Sequence, residues 1–175
     1  MHLSMYQASV PVFTQMLESL SALLDKAVAH AEHKKIEPTV LLQARLAPDM
    51  HPFSMQVRFA TGLARDGVAR LAGVEGPSFS DTETTFPELK ERIAQTLAFF
   101  QSVKPEQLAG SEGRTVHMKL NSPQGLIELD FKGQAYLLHF VLPNFFFHVT
   151  TAYALLRHNG LEIGKADYIH RLITG

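Results

Sequence analysis

The most restrictive feature of this sequence is a long run of apolar residues with helical spacing near its start. From Ser4 to about His33, apolar side chains recur every three or four residues, which places them on one face of an α-helix. They are Val10, Phe13, Met16, Leu17, Leu20, Leu23, Leu24, Ala27, Val28 and Ala31. A long helix with one apolar face must bury that face against other elements, so the pattern predicts a helical bundle.

A second long helix follows an interruption by the segment LAPDMHP. Residues 39 to 46 before it predict a short helix, and Asp49 is placed to act as the N-cap of the long one. Gly73 is the predicted end, since glycine is favoured just after a helix. The predicted inner face consists of Phe53, Val57, Ala60, Leu63, Ala64, Val68 and Leu71.

The spacing of Thr85 and Glu88 is that of a capping box and predicts the start of a third helix. It is predicted to end near Ser102. The preceding segment VEGPSFSDTETTF has no periodicity and predicts an ordered surface loop. Its Asp81 and Glu83 lack the ligand number and glycine position of a calcium loop, so we interpret them as a solvated, helix-capping acidic turn.

The last part of the chain combines a hairpin with a helix. The segments GRTVHMKL and GLIELDF alternate apolar and polar residues, the pattern of two half-buried strands, here joined by NSPQG. The run from Gln134 is compatible with a strand followed by a helix, or with one helix kinked at Pro143; the pattern favours the kinked helix. It is predicted to end at Asn159-Gly160, and the remaining 15 residues to wrap back over the body.

These elements predict a mainly α fold, a four-helix bundle with a small β-hairpin inserted before the last long helix. Residues 1–175 are predicted to form a single domain, because the chain length of 175 residues suits one core and no boundary is visible.

Composition narrows the classes of partner and compartment. The net charge is −1 and the longest basic cluster is the pair Lys34-Lys35, which argues against a nucleic-acid partner. The chain has no cysteine, which excludes disulfides and thiolate chemistry. No apolar stretch reaches the roughly 18 residues of a membrane span, so we expect a cytoplasmic protein that does not bind membranes. No nucleophile elbow or phosphate loop supports a hydrolase or nucleotide-binding function.

His148 is the main candidate for a functional residue, since it stands in the otherwise apolar run FFFHVTTAYALL. A histidine there can be a metal ligand, a general base, a polar group in a pocket, or a packed side chain bonded to a carboxylate or to the Thr151 hydroxyl. Asn144, four residues earlier, lies on the same helix face. It is a candidate pocket residue, or a partner for a carbonyl freed by Pro143.

The segment before the second long helix supplies the other candidates. His51 and Asp49 lie there, and Arg45 and Gln56 flank it. If a pocket forms in this region, Arg45 is the group able to bind an anion bidentately. The predicted pocket residues are therefore Arg45, Asp49, His51, Gln56, Asn144, His148 and Thr151.

Three stretches carry a resemblance to known proteins: LLQARLAPDM, DTETTFPELKERIAQTLAF and PNFFFHVTTAYALLRHNG. With them the chain resembles an uncharacterised family described only as a domain of unknown function, over nearly its whole length. More distantly it resembles the DinB/YfiT-like helical-bundle superfamily. That resemblance implies a DinB-like four-helix bundle, commonly a homodimer, with a pocket at one end.

Many members of the superfamily hold a divalent metal through one histidine on the second helix and a His-x-x-x-His pair on the fourth. Matching the last helix places His148 at the second histidine of the pair, but the first falls on Asn144, so the sequence departs from the pattern. His51 is the nearest candidate on the second helix. The resemblance thus implies a possible nickel, zinc or iron site at His51 and His148, with Asp49 as a conceivable third ligand.

Two function classes follow. The first is a small-molecule binding module with a polar pocket at one end of the bundle, favoured by the missing histidine at Asn144. The alternative is a metal-assisted or thiol-dependent enzyme that uses His148; whether the protein is an enzyme stays open. The triplet Phe145-Phe146-Phe147 covers most of the circumference of a helix, so either the C-terminal segment or a second subunit is expected to cover part of it.

Overall fold

The computed structural model describes residues 3–122 and 125–169. Its four long helices are α1 (Val10–Lys34), α3 (Phe53–Ala72), α4 (Phe86–Ser102) and α6 (Leu142–His158). The connecting elements are α2 (Pro38–Leu42), 3-10 turns at Pro105–Leu108 and Ser111–Gly113, strands β1 (Thr115–Ser122) and β2 (Gly125–Lys132), α5 (Gly133–Ala135), a π-helical segment at Tyr136–Val141, and α7 (Lys165–Tyr168). Within the described ranges, no helix has both the length and the apolar character needed to cross a membrane. The predicted four-helix bundle with a hairpin before its last long helix is confirmed.

One apolar core lies between the four long helices. Phe13 of α1 contacts Phe145 of α6, with ring centroids 4.9 Å apart, and Phe100 of α4 at 6.2 Å. All three side chains are buried. The predicted inner face of α3 is buried except for Leu63, which lines a surface cavity instead.

The packing of α3 against α6 positions the candidate site. Gln56, near the start of α3, hydrogen-bonds His148 of α6. Gly67, about three turns further along α3, lies against Val141 just before α6. This order of pairs makes the two helices antiparallel. A Cβ at Gly67 would lie 2.7 Å from Val141 Cγ1, well inside van der Waals contact, so glycine permits the close approach.

Helix ends agree with the sequence at some positions and not at others. Gly73 ends α3 in the left-handed conformation, at φ 70°. The capping box of α4 is formed: Glu88 N donates to Thr85 Oγ1 (3.3 Å), and Thr85 N donates to Glu88 Oε2 (2.9 Å). The predicted N-cap at Asp49 is wrong. The chain is still extended at Pro52 (ψ 168°), so α3 begins only at Phe53 and leaves Asp49 exposed in the loop before it.

The start of α1 is also later than predicted. The helix begins at Val10 rather than Ser4, and Pro11 occupies its first turn. Proline has no N–H to donate and fits the first turn of a helix, where that donor is not needed. The apolar period that continues upstream belongs to a turn, residues 5–9.

The hairpin packs by one face of its antiparallel strands. The apolar cross-strand pairs are Val116 with Phe131, Met118 with Leu129 and Leu120 with Ile127. Val116 and Met118 are buried, whereas Ile127 near the tip is 42% exposed. The base of the hairpin therefore packs on the bundle and its tip projects. Residues 123–124 of the predicted connection lie outside the described residues.

The helical interpretation of the last long segment is confirmed. A π-helical segment runs into α6, and Pro143 is its second residue. A proline here breaks the ordinary hydrogen-bond ladder, and a π-helical stretch is one way in which a helix accommodates such a break. Beyond Gly160, at φ 91°, the chain turns back. Helix α7 lies against α1, where Lys26 pairs with Asp167, as expected for the described part of the C-terminal segment.

A buried arginine ties the loop between α3 and α4 to the bundle. Arg92 of α4 is 3% exposed and pairs with Asp81 (2.7 Å) and Glu83 (2.9 Å) of that loop. Its Nε donates to Thr61 Oγ1 of α3 at 2.7 Å. The predicted solvated turn is therefore wrong for Glu83, whose side chain is 10% exposed. A buried guanidinium needs a carboxylate partner, and Glu83 supplies it.

Candidate functional site

His148 lies on the side of α6 that faces the first turns of α3. Its ring is half-buried and its Nδ1 is 2.7 Å from Gln56 Oε1. Gln56 is buried, at 2% exposed, and its Nε2 donates to the His51 carbonyl at 2.9 Å. Residues from α3, from α6 and from the loop before α3 therefore form one hydrogen-bonded chain, which we call the Gln56 relay. Its members are the His51 carbonyl, the Gln56 amide and the His148 ring.

The Gln56 relay assigns the tautomer of His148. A carbonyl oxygen only accepts hydrogen bonds, so the atom of Gln56 that faces the His51 carbonyl is its NH₂ group. Its oxygen then faces His148 and likewise only accepts. His148 Nδ1 must therefore donate, and in the neutral ring the lone pair lies on Nε2.

The pKa of His148 keeps this lone pair free in neutral solution. Burial of the ring lowers its pKa from the ordinary 6.5 to about 4, and the neighbouring His51 lowers it as well. Burial acts against the charged imidazolium form. Nε2 has no hydrogen-bond partner among the described residues, and it is not one of the buried polar atoms left unpartnered. It is therefore an accessible acceptor on a neutral ring.

Aromatic side chains lie beside the His148 ring. The ring of Phe59, on α3, lies 4.9 Å from that of His148 and 5.1 Å from that of His51. Phe147 contacts the His148 ring edge-on at 5.3 Å and is 56% exposed. An acceptor set among apolar rings can orient a small ligand that carries a hydrogen-bond donor.

Two predicted pocket residues hydrogen-bond to the backbone of their own helical segment and not to His148. The Asn144 amide donates to the Phe140 carbonyl at 2.6 Å, and the Thr151 hydroxyl donates to the Phe147 carbonyl at 2.7 Å. Asn144 thus bonds to a carbonyl of the preceding turn. The carbonyl that the missing Pro143 N–H would serve in an α-helix is that of His139, so the interpretation of Asn144 as a kink partner stays a prediction. The partner of His148 is a side-chain amide rather than Thr151 or a carboxylate.

The loop residues Arg45 and Asp49 do not take part in the Gln56 relay. Both are exposed, and Arg45 Nη1 donates to the Met50 carbonyl, so its guanidinium braces the loop that carries His51. Across the described ranges, no three His, Asp or Glu side chains come close enough together to hold a metal ion. Asp49 therefore does not complete a three-ligand set with His51 and His148.

Phe59 is the site residue that the sequence analysis missed. It stands three residues after Gln56 and eight after His51, and side chains three or four apart share a helix surface. That spacing alone could have placed it beside Gln56. Its contact with the His148 ring depends on the packing of α3 on α6.

Comparisons with known proteins agree with the architecture. The family model "Domain of unknown function (DUF1993)" matches residues 5–169. A crystal structure of a DinB family member protein from Shewanella denitrificans is similar, with a TM-score of 0.83 and 39% sequence identity over 94% of this chain and 90% of that chain. No curated protein matches the chain. The resemblance to a DinB-like family of unknown function is thereby confirmed.

Proposed function

The chain belongs to the DUF1993 family of domains of unknown function, and within that family we propose that it acts as a small-molecule binding module. The observation that carries the proposal is the accessible Nε2 of His148, held as a neutral acceptor by the Gln56 relay. The tautomer is fixed by a polar side chain, Gln56, that is buried in the bundle. A buried polar group of this kind is expected where a neighbouring polar atom has to be held in one orientation.

The chemistry of the site indicates the ligand class. Nε2 accepts a hydrogen bond, so the ligand must offer an O–H or N–H group. The rings of Phe59 and Phe147 beside it favour an apolar or aromatic body. Because the pKa of His148 is about 4, the acceptor persists throughout the physiological pH range. A phenol has both parts of this description.

Matched probes test this proposal. Binding of phenol and para-cresol is measured by NMR titration and compared with the methyl ethers, which lack the O–H group. We expect the phenols to bind about fivefold more tightly than the ethers, the value of one hydrogen bond. The preference is expected to vanish in His148→Ala and to survive in His139→Ala, a control at an exposed histidine. Equal binding of phenols and ethers to the folded wild type would refute the proposal.

The alternative function, a metal-assisted or thiol-dependent enzyme, uses the same atom. In its favour, a metal-ligating histidine commonly donates a hydrogen bond from the N–H of its other ring nitrogen to a neighbouring acceptor. The Nδ1–H of His148 donates to Gln56 in this way. The protein donors fit poorly, because a catalytic zinc site has three protein ligands and the described residues offer no such trio. We therefore derive no catalytic step through a metal.

Elemental analysis separates the two functions. Protein purified without chelator is assayed for nickel, zinc and iron, in the wild type and in His148→Ala. The binding-module proposal predicts substoichiometric metal in both proteins. Near-stoichiometric metal in the wild type, lost in the folded variant, would replace it with the metal-assisted enzyme. Turnover of a small electrophile that depends on a low-molecular-weight thiol and on His148 would point to the thiol-dependent form.

We also propose that the protein is a cytoplasmic homodimer. Phe147 is 56% exposed beside the half-buried Phe146. Helix α7 does not cover it: the Tyr168 hydroxyl of that helix hydrogen-bonds the Thr150 hydroxyl (2.9 Å), and the Tyr168 ring contacts Tyr153. A second copy of the chain is the expected cover for this apolar surface. The absence of cysteine agrees with a reducing compartment.

A further inference from the structure

A second candidate site lies on the other side of Phe59, between α3 and the loop of residues 74–85. A cavity of about 440 Å³ opens there, which is within the size range of small-molecule pockets. Its apolar wall is formed by Met55, Phe59 and Leu63. Its polar wall holds three arginines and two acidic residues: Arg58, Arg65, Arg92, Asp66 and Asp81. We call it the arginine cavity.

Most of the charge around the arginine cavity is already paired. Arg92 pairs with Asp81 and Glu83, and Arg65 pairs with Asp66 at 2.8 Å. Arg58 is different, since no carboxylate among the described residues lies within ion-pair distance of it. Within the described residues, Arg58 therefore makes no ion pair of its own. The cavity wall is nevertheless balanced in charge, because Arg92 pairs with two carboxylates.

The hydrogen bonds of Arg58 leave two donors on one edge of its guanidinium group without a partner in the described structure. Nη1 donates to the Asp81 carbonyl, which fixes the orientation of the group. Nε is buried without a partner, and Nη2 makes no hydrogen bond within the described structure. The Nε and Nη2 donors form the fork that matches the two oxygens of a carboxylate. A buried donor without an acceptor is costly, and a bound carboxylate would remove that cost.

We propose that the arginine cavity binds a small carboxylate with an apolar body, which goes beyond the site at His148. The carboxylate accepts a hydrogen bond from Nη2 of Arg58, and a second one from the buried Nε once the side chain shifts towards the ligand. The apolar body lies against Met55, Phe59 and Leu63, whose side chains are half-buried along one face of α3. The buried Arg92 holds the opposite wall in place through its bonds to Thr61 and Glu83.

Benzoate is a suitable probe, with benzamide as its neutral counterpart of the same shape. Binding is followed by NMR on protein with labelled methionine methyl groups, where the Met55 signal reports on the cavity. We expect benzoate to shift the Met55 signal and to bind about tenfold more tightly than benzamide, the value of a charged bidentate pair.

Two variants of Arg58 separate ligand binding from loop anchoring. Arg58→Ala removes both the fork and the bond to the Asp81 carbonyl, whereas Arg58→Lys keeps the charge and a donor but loses the fork. We expect Arg58→Lys to melt close to the wild type and still to lose the roughly tenfold preference for benzoate. Arg70→Ala, an exposed arginine on the same helix, is the matched control and should bind as the wild type does.

The result also distinguishes the two sites. His148→Ala should leave benzoate binding intact, because His148 does not line the arginine cavity. The inference is overturned if benzoate and benzamide bind equally to the wild type, if Arg58→Lys keeps the benzoate preference, or if the shifts occur away from Met55.

Discussion

The protonation of His148 gives the fold a dependence on pH. Its folded pKa of about 4 lies below the ordinary 6.5, so between these values the unfolded chain binds more protons than the folded one. The free energy of unfolding must then fall as the pH is lowered through this window. His148→Gln removes that contribution. We expect its unfolding free energy to lose about 1 to 3 kcal/mol less than that of the wild type between pH 6.5 and pH 4.

Urea unfolding at several pH values measures this difference. The comparison needs a variant with the same substitution at another histidine. His139→Gln serves, since His139 is exposed, and it should follow the wild-type profile. Parallel profiles for wild type and His148→Gln would show that His148 titrates as an ordinary histidine.

For individual residues, the sequence predicts which side chains form the site better than it predicts the hydrogen bonds that they make. His51, Gln56 and His148 were all candidates, and the structure joins them through the Gln56 relay. The relay itself could not be read from spacing, because Gln56 and His148 are 92 residues apart. Which atom of Gln56 faces the histidine depends on the His51 carbonyl, a backbone group that side-chain patterns do not describe.

Among the elements, the loop of residues 74–85 depends on Arg92. Arg92→Met would leave Glu83, whose side chain is 10% exposed, without its ion pair, and would break the bond to Thr61. We expect the variant to lose about 2 to 4 kcal/mol of unfolding free energy and to be cleaved faster by protease in this loop. Arg70→Met, at an exposed position of α3 where the side chain donates one hydrogen bond to the His117 carbonyl, is the control and should lose about 1 kcal/mol or less. Unchanged stability and cleavage would contradict the proposed anchoring role.

The close contact of α3 with the end of the π-helical segment predicts that a larger residue at Gly67 destabilises the fold. Gly67→Ala places a Cβ against Val141, and this overpacking is expected to cost about 1 to 3 kcal/mol of unfolding free energy. Adding Val141→Ala should recover part of the loss, so the double variant is more stable than the sum of the single effects predicts. Additive effects would mean that the two residues do not meet.

A helix can be predicted from the sequence where its signal, an apolar repeat or a capping pair, lies within the helix itself or next to its first turn. The apolar repeat of α1 and the Thr85-Glu88 capping box both predict helices correctly. The two errors have different causes. The pattern predicts an N-cap at Asp49, but the extended backbone at Pro52 delays the helix by a few residues. It predicts Glu83 in solvent, because its partner Arg92 lies on another element.

For the whole molecule, the exposed Phe147 predicts self-association. Light scattering coupled to size-exclusion chromatography should give the wild type about twice the monomer mass of 19.5 kDa. Phe147→Ser removes the apolar contact, and a central aromatic residue in an interface is commonly worth about 2 kcal/mol or more, so we expect a monomer. Val40→Ser, at an exposed position on α2, should remain a dimer. A monomeric wild type, or a dimeric Phe147→Ser, would contradict this assignment.

The bundle places its two candidate sites on either side of one helix. Gln56 turns towards α6 and His148, while Arg58 turns towards the loop of residues 74–85. Phe59 touches both sites. A fold of this kind hosts unrelated functions, so the function of the chain has to be argued from these two surfaces and not from the bundle.

The most direct test of the central claim is a pH titration of the histidine ring nitrogens by ¹⁵N NMR. The structure predicts that His148 carries its proton on Nδ1 in neutral solution, that its Nε2 has the chemical shift of an unprotonated nitrogen, and that the ring protonates only near pH 4. A His148 with its proton on Nε2, or with a pKa near the ordinary 6.5, would contradict the account of a locked and accessible acceptor.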